Sequence, residues 1–215
     1  RVVLRHTAVV GKIDRQTPIV DSKINEIIVN PYWNAPVSIV RKDIIPLMRK
    51  DPNYLKDSKI RLFAPDGSEV DPLTVDWSTD DAEKYRFRQD PGAGNAMASV
   101  KINFPSPDGV YMHDTPQKSF FQRDMRALSH GCVRLQDPRG MAAAVLGTSV
   151  DYVAEKLKHG HSTEKVARTI PVYVAYFTAW PDSSGKVEYF SDVYDRDTRL
   201  QQALDSTEAV RSPAS

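Results

Sequence analysis

Cysteine is almost missing from this chain: Cys132 is the only one in 215 residues. One thiol excludes an internal disulfide and any metal centre built from several cysteines. A lone cysteine is most often a small buried residue, so its neighbours decide whether it has another role. Long apolar runs are missing as well. Without a stretch of about 18 apolar residues, no segment reads as a membrane-spanning helix. Neither sign of charge dominates; the formal net charge is +1, which gives no field selecting nucleic acid or an anionic membrane. There is no internal repeat and no low-complexity tract. The chain opens Arg1-Val2-Val3-Leu4, with neither an initiator Met nor a signal peptide. It is therefore expected to be a fragment or a processed form, with its N-terminal part and any export signal lying outside it.

What is present is an ordinary globular balance, 40% hydrophobic and 27% charged, rich enough for a core and for one large domain or a domain with an insertion. Arg1–Gly11 alternates weakly and reads as a strand, and residues 24–29 read as another. Asn30-Pro31-Tyr32-Trp33-Asn34-Ala35-Pro36 is a rigid turn that exposes aromatics. Ser38 is expected to cap a short helix from Ile39 to about Ile45, with a kink or a fresh start at Pro46. Residues 51–95 are rich in Asp, Pro, Gly and Asn and read as an irregular insertion. Ala98–Phe104 and Gly109–His113 read as short strands parted by a Pro-Ser-Pro-Asp-Gly turn. Asp137, Pro138 and Gly147 have the chemistry of a helix cap, first position and stop. Thr148 or Ser149 starts a further helix that presents Val150, Val153, Ala154 and Leu157 on one face and stops at Gly160. Pro171–Trp180 and Lys186–Tyr194 read as a hairpin, and the tail from Asp205 as polar and frayed. The composite is one α+β domain, mostly β, with a sandwich-like core, a few helices and an insertion.

The chemistry is concentrated in Tyr111-Met112-His113-Asp114-Thr115-Pro116 and Arg126-Ala127-Leu128-Ser129-His130-Gly131-Cys132-Val133-Arg134. A thiol attacks as a thiolate, and an imidazole nearby can take its proton and later return it to a leaving amine. Two of the five histidines lie in this segment with the only cysteine. Gly131 lets the backbone approach closely and offers amides for an oxyanion site. Arg134, two residues past Cys132, shares its face if the strand persists, and suits a carboxylate. Each has a plainer reading: Tyr111 as strand packing, Arg134 as a surface ion pair, Trp33 as an anchor of a satellite core, His130 as packing, Asp114 as a turn cap. His159 and His161 flank a helix end rather than forming a metal pair, and His6 has no evident role.

The combined pattern is more specific than its parts. His113 ends a strand, residues 114–128 intervene, and Ser129-His130-Gly131-Cys132 follows, then a hydrophobic residue and an arginine. This resembles the YkuD-type L,D-transpeptidase family, whose signature is a His, a gap of this size and Ser/Thr-His-Gly-Cys. Asn30-Pro-Tyr-Trp-Asn, Pro91-Gly-Ala-Gly-Asn-Ala96 and His113-Asp-Thr-Pro resemble the larger YcbB-like branch, whose members carry a mobile capping subdomain. The likeness covers roughly residues 1–195. It departs from the simplest pattern at Arg134, where many members have Asn, and at Asp114, where many have Gly or Ser.

The resemblance implies a YkuD-like β-sandwich core in a catalytic domain over residues 1–204. It also implies a capping or lid region inserted at about 31–95, with 205–215 as a polar tail. Cys132 would be the nucleophile and His113 its base, acting on the third residue of a tetrapeptide stem and expelling D-Ala. Transfer to the amine of a second stem would give a 3-3 cross-link. Gly131 and Cys132 amides with Tyr111 would contact the oxyanion, Ser129, His130 and Arg134 would shape the pocket, and Trp33 would lie on the lid side. The implied partners are peptidoglycan stem peptides, with carbapenems as acylating inhibitors, no nucleic acid, no metal and no cofactor; the implied place is the periplasm or cell envelope. Hydrolysis by the same thiol, release of wall proteins, or attachment of a lipoprotein remains open on sequence, because pocket shape and water exclusion choose the acceptor. A non-catalytic wall-binding domain has no need of both His113 and Cys132.

Overall fold

The computed structural model describes residues 2–211. In chain order the elements are β1 (Ala8–Gly11), β2 (Val20–Val29), β3 (Trp33–Asn34), α1 (Val37–Ile39), α2 (Ile45–Lys50), α3 (Tyr54–Asp57), β4 (Ile60–Phe63), β5 (Glu69–Val70), β6 (Arg86–Gln89), β7 (Val100–Asn103), β8 (Met112–His113), β9 (Ala127–Ser129), β10 (Val133–Leu135), α4 (Pro138–Leu146), α5 (Val150–Lys158), β11 (Ser162–Val174), β12 (Ala179–Pro181), β13 (Val187–Tyr189) and α6 (Arg196–Arg211). Seven strands form one mixed sheet in the order β11-β2-β7-β8-β10-β1-β9. The fold is α+β.

Alternation sorts the sheet's residues into two faces. Val100 and Ile102 of β7, Met112 of β8 and Leu135 of β10 enter the main core with Ile27 and Val29 of β2. Ala142, Ala143 and Val145 of α4 and Val153 of α5 complete it from the helical side. Each of the Val, Ile, Leu and Met side chains among these, when fully buried, contributes roughly 1.5–3 kcal/mol. The helices begin and stop where their caps dictate. Asp137 accepts from the Gly140 amide and Ser149 from the Tyr152 amide, while Gly147 closes α4 at φ +69°. Val150 was expected on the buried face of α5, but it is exposed. It is the first residue of the helix, ahead of the turn that meets the core.

Several boundaries differ from the sequence reading. β2 starts at Val20 because β11 pairs with nine of its residues, with a register shift between Lys165 and Ile170 that changes the phase of burial along β2. β1 is confined to Ala8–Gly11, and Val2, Val3 and Leu4 are exposed. Ser38 lies inside α1 and caps nothing; Pro36 takes the cap position. Of the kink or fresh start expected at Pro46, the structure has the fresh start: α2 begins at Ile45 with Pro46 in its first turn, after a π-helical turn over Val40–Ile44. The tail from Asp205 is helical to Arg211, as the second half of α6, which buries no residue.

The segment read as irregular is a small folded unit. β3, β6, β4 and β5 form a four-stranded sheet in that order. Val40, Ile44 and Met48, spaced four apart on the helical run, pack with Leu55, Leu62 and Phe87 in a second hydrophobic core.

Candidate active site

Strand register builds one row of charged and titratable groups across the sheet. Lys101 on β7 lies opposite His113 on β8, and His113 lies opposite Arg134 on β10. Directly opposed residues project from the same face. Their neighbours Ile102, Met112 and Leu135 are in the main core, so Lys101, His113 and Arg134 occupy the other face.

Cys132 stands one residue before β10, on a turn that only certain residues permit. Gly131 has φ +116°, a region that side chains disfavour. The Ser129 hydroxyl ties the turn together: it accepts from the Gly131 amide at 3.1 Å and donates to the Cys132 carbonyl at 2.6 Å. From below, Thr17 donates its hydroxyl to the Gly131 carbonyl at 2.8 Å and accepts from the Gly11 amide at 2.8 Å. A side chain at position 11 would run into the backbone of Arg15 and Thr17, so glycine is required there. Tyr194 donates to the Gly11 carbonyl, which links the Cys132 turn to the C-terminal segment. The Gly131 amide, expected to serve an oxyanion, is thus already engaged by Ser129. The Cys132 amide hydrogen-bonds to no protein group among the described residues. Ser129 acts as a brace.

His113 is buried, at 6% exposure. Its Nδ1–H donates to the Asp114 carbonyl, which assigns the lone pair to Nε2. Burial brings its pKa down to about 4, opposed by the Asp114 carbonyl and assisted by Arg134 and Lys101. The ring is therefore neutral at pH 7. Burial pushes the Cys132 thiol up, while the Tyr111 backbone and side chain, Lys101 and Arg134 favour the thiolate. Among the described residues no hydrogen bond joins Cys132 to His113. Tyr111 neighbours both: its ring is 5.5 Å from that of His113, its carbonyl accepts from the Val133 amide at 3.0 Å, and its backbone and side chain act on the Cys132 thiol. Burial, with Cys132 next, holds the Tyr111 phenol protonated.

Arg134 has no carboxylate partner among the described residues. One guanidinium nitrogen reaches Gln117, the group lies 5.7 Å from the Phe120 ring centroid, and Nε is buried without a partner. The surface ion-pair reading fails for this residue. Asp114 does not reach the free nitrogen of His113. Burial raises its carboxyl, but hydrogen bonds from Lys118, Ser99 and the Thr115 amide outweigh that and hold it below the usual range. Asp114 thereby fixes the turn after β8.

The inserted unit meets the site at two places. Trp33 packs against the insertion's core, and its indole lies close enough to the Tyr111 phenol to favour phenolate slightly against the larger effect of burial. Asp43, inside the π turn, forms a two-pronged pair with Arg15 and lies 3.7 Å from His130. Burial lowers His130 and Asp43 raises it, for a net decrease. His159 and His161 go separate ways, to Glu155 at 3.2 Å and to the Asn30 carbonyl at 3.0 Å.

The sequence profile of the L,D-transpeptidase catalytic domain called YkuD matches residues 1–174. The chain belongs to the YkuD family. A Haemophilus influenzae protein named "Putative L,D-transpeptidase" is 35% identical over 207 residues, covering 94% of this chain and 42% of the relative. The chain thus spans less than half the length of that relative. The YkuD match takes in every site residue named above except Tyr194.

Lys101 is the residue that motif reading missed. The signal was available in the alternation Val100-Lys101-Ile102, which aims a lysine at the face opposite the core. A cavity of about 560 Å³ lies elsewhere, lined by Val10, Ile19, Met125, Val174 and Phe190 among others. It borders Thr17 and Tyr194 but neither Cys132 nor His113, so catalysis is assigned by chemistry and not by cavity size.

Proposed function

We propose that the chain is the catalytic unit of a peptidoglycan L,D-transpeptidase working through a Cys132 acyl-enzyme, in the YcbB-like branch of the family. The observation that carries this reading is the braced turn that holds the only thiol two residues before Arg134, whose strand partner is a neutral histidine with a free Nε2. The Cys132 thiol gives its proton to His113 Nε2 as the sulfur attacks the carbonyl of the third stem residue. The carbonyl oxygen, now negative, is met by the Cys132 amide and the Tyr111 hydroxyl. Collapse of the intermediate breaks the peptide bond, and imidazolium protonates the departing D-Ala amine. A second stem's side-chain amine then gives up a proton to His113 and takes the acyl group, forming the 3-3 link and freeing the thiol. Arg134, a half-buried cation with no carboxylate partner among the described residues, suits a stem carboxylate.

The Cys–His hydrogen bond has to form on substrate binding, as is common for such pairs. Residues 31–95, with a core of their own and polar ties to the nucleophile turn, act as the lid that excludes water during this step. Stem peptides place the reaction outside the cytoplasmic membrane.

Intact mass after mixing with a carbapenem tests the reading. One adduct on the wild type and none on Cys132→Ala supports it, and no adduct on either refutes it. Product analysis with a tetrapeptide donor then separates cross-linked dimer from hydrolysed tripeptide.

A further inference from the structure

Lys101 has no part in the family signature, yet the fold sets it in the middle of the chemistry. It is opposite His113 in the strand register, in the row that continues to Arg134. Its Nζ lies 4.1 Å from the centre of the Tyr111 ring, a cation–π arrangement that fixes the ammonium. Tyr111 in turn holds the strand of the nucleophile through the Val133 amide at 3.0 Å. Among the described residues Lys101 pairs with no carboxylate. The acid that acts on it, Glu26, is taken up by Lys165 at 2.8 Å. A half-buried ammonium without a counter-ion is costly unless its charge is used.

We infer that Lys101 is a positioning residue acting through Cys132: its ammonium, seated on the Tyr111 ring, is the counter-charge of the thiolate that forms as His113 takes up the proton. The inference rests on Cys132 being the nucleophile. The groups around the reacting pair support it by sign. Lys101 and Arg134 both favour the thiolate and both disfavour imidazolium. Asp114 favours imidazolium, mainly through its backbone carbonyl. From the insertion, Trp33 carries no charge, and Asp43 is engaged by Arg15 and His130. The same ammonium therefore makes the sulfur easier to ionise and the imidazolium a stronger acid. The proton passes from Sγ to Nε2 and is held there only weakly, ready for the leaving amine.

The test is the pH dependence of Cys132 alkylation by iodoacetamide, in which an S–C bond forms, iodide leaves and the thiol proton goes to solvent. Lys101→Met is expected to raise the midpoint by about one pH unit and slow alkylation near neutral pH roughly tenfold. Lys101→Arg is expected to restore it to within a few tenths of a unit. Lys101→Gln serves if the methionine variant does not fold. His113→Ala is expected to leave the midpoint in place while abolishing acyl transfer. An unchanged midpoint in the neutral Lys101 variants overturns the inference, as does an upward shift in His113→Ala equal to that expected for Lys101→Met. Failure of the parent reading looks different: the wild type then forms no carbapenem adduct, whatever the alkylation profiles show.

Discussion

The sheet unit and the insertion each enclose a core, but they treat polar groups differently. Beneath the site, His113, Asp114, Thr115 and Ser129 are all buried. Those polar groups are held by hydrogen bonds to backbone or close neighbours. The core of the insertion is apolar, from Val40 to Phe87. Much of its charge is spent on surface pairs such as Arg41–Glu83 and Arg61–Glu69, which are individually worth little. A reacting group must be fixed to within a fraction of an ångström, and that requires saturated buried polar contacts. A covering unit needs only to hold its shape and to touch the site at a few points.

The sharpest way to separate the two regions is to remove the chemistry without disturbing either core. Cys132→Ala is expected to lower acyl transfer by at least about 10³-fold and to leave the melting transition nearly in place. A variant that kept more than a few per cent of its activity would mean that another group attacks.

Core truncations come next. Ile27 is fully buried in the main core and Phe87 is 1% exposed in the insertion's core. Ile27→Ala is expected to cost about 2–5 kcal/mol and Phe87→Ala about 3–5 kcal/mol. The distribution matters more than the size. Hydrogen exchange in Phe87→Ala should rise across residues 33–89 while β7, β8 and β10 stay protected, and Cys132 should alkylate as in the wild type. Equal loss of protection in both regions would show a single cooperative unit and break the comparison.

Acid should act on the sheet unit first. The folded-state pKa of His113 is about 4, below the ordinary 6.5, so the unfolded chain binds more protons between those values. Stability is then full above about 6.5 and falls as pH drops toward 4, by on the order of 1 kcal/mol per pH unit. His130 shifts in the same direction. Asp114 is held low, so its contribution is lost only at still lower pH. Denaturant melts at pH 7, 5.5 and 4.5 should show this slope, and His113→Gln should flatten it.

These comparisons also explain what the sequence disclosed. The spacing from His113 to Cys132 and the caps at Asp137, Ser149 and Gly147 are local in sequence, and they were legible. The sheet inside the insertion was not, because it pairs Ile60 with Gln89 and Trp33 with Gln89 across long separations. Strands of two to four residues are too short to carry a clear alternation. The engagement of the Gly131 amide was hidden for another reason: Ser129, two residues away, competes for it through a side chain whose direction no periodicity reports. Lys101 was visible as a polar residue in an alternating strand, but only register with β8 gives it a partner.

The smallest effect is expected at the tie between the regions. Asp43 joins Arg15 through both carboxylate oxygens and stands 3.7 Å from His130. Asp43→Asn keeps the shape but removes the charge, and is expected to cost about 1 kcal/mol. Because Asp43 raises the His130 pKa against the effect of burial, the variant should make His130 titrate lower still, measurable by NMR. The helical run from Val37 to Lys50 should also exchange faster while the Phe87 core remains protected. If His130 titrates unchanged in Asp43→Asn, the contact does not persist in solution, and Asp43 is no tie between the insertion and the Cys132 turn. A lowered His130 pKa together with faster exchange confined to residues 37–50 makes Asp43 the joint at which the covering unit can loosen without unfolding.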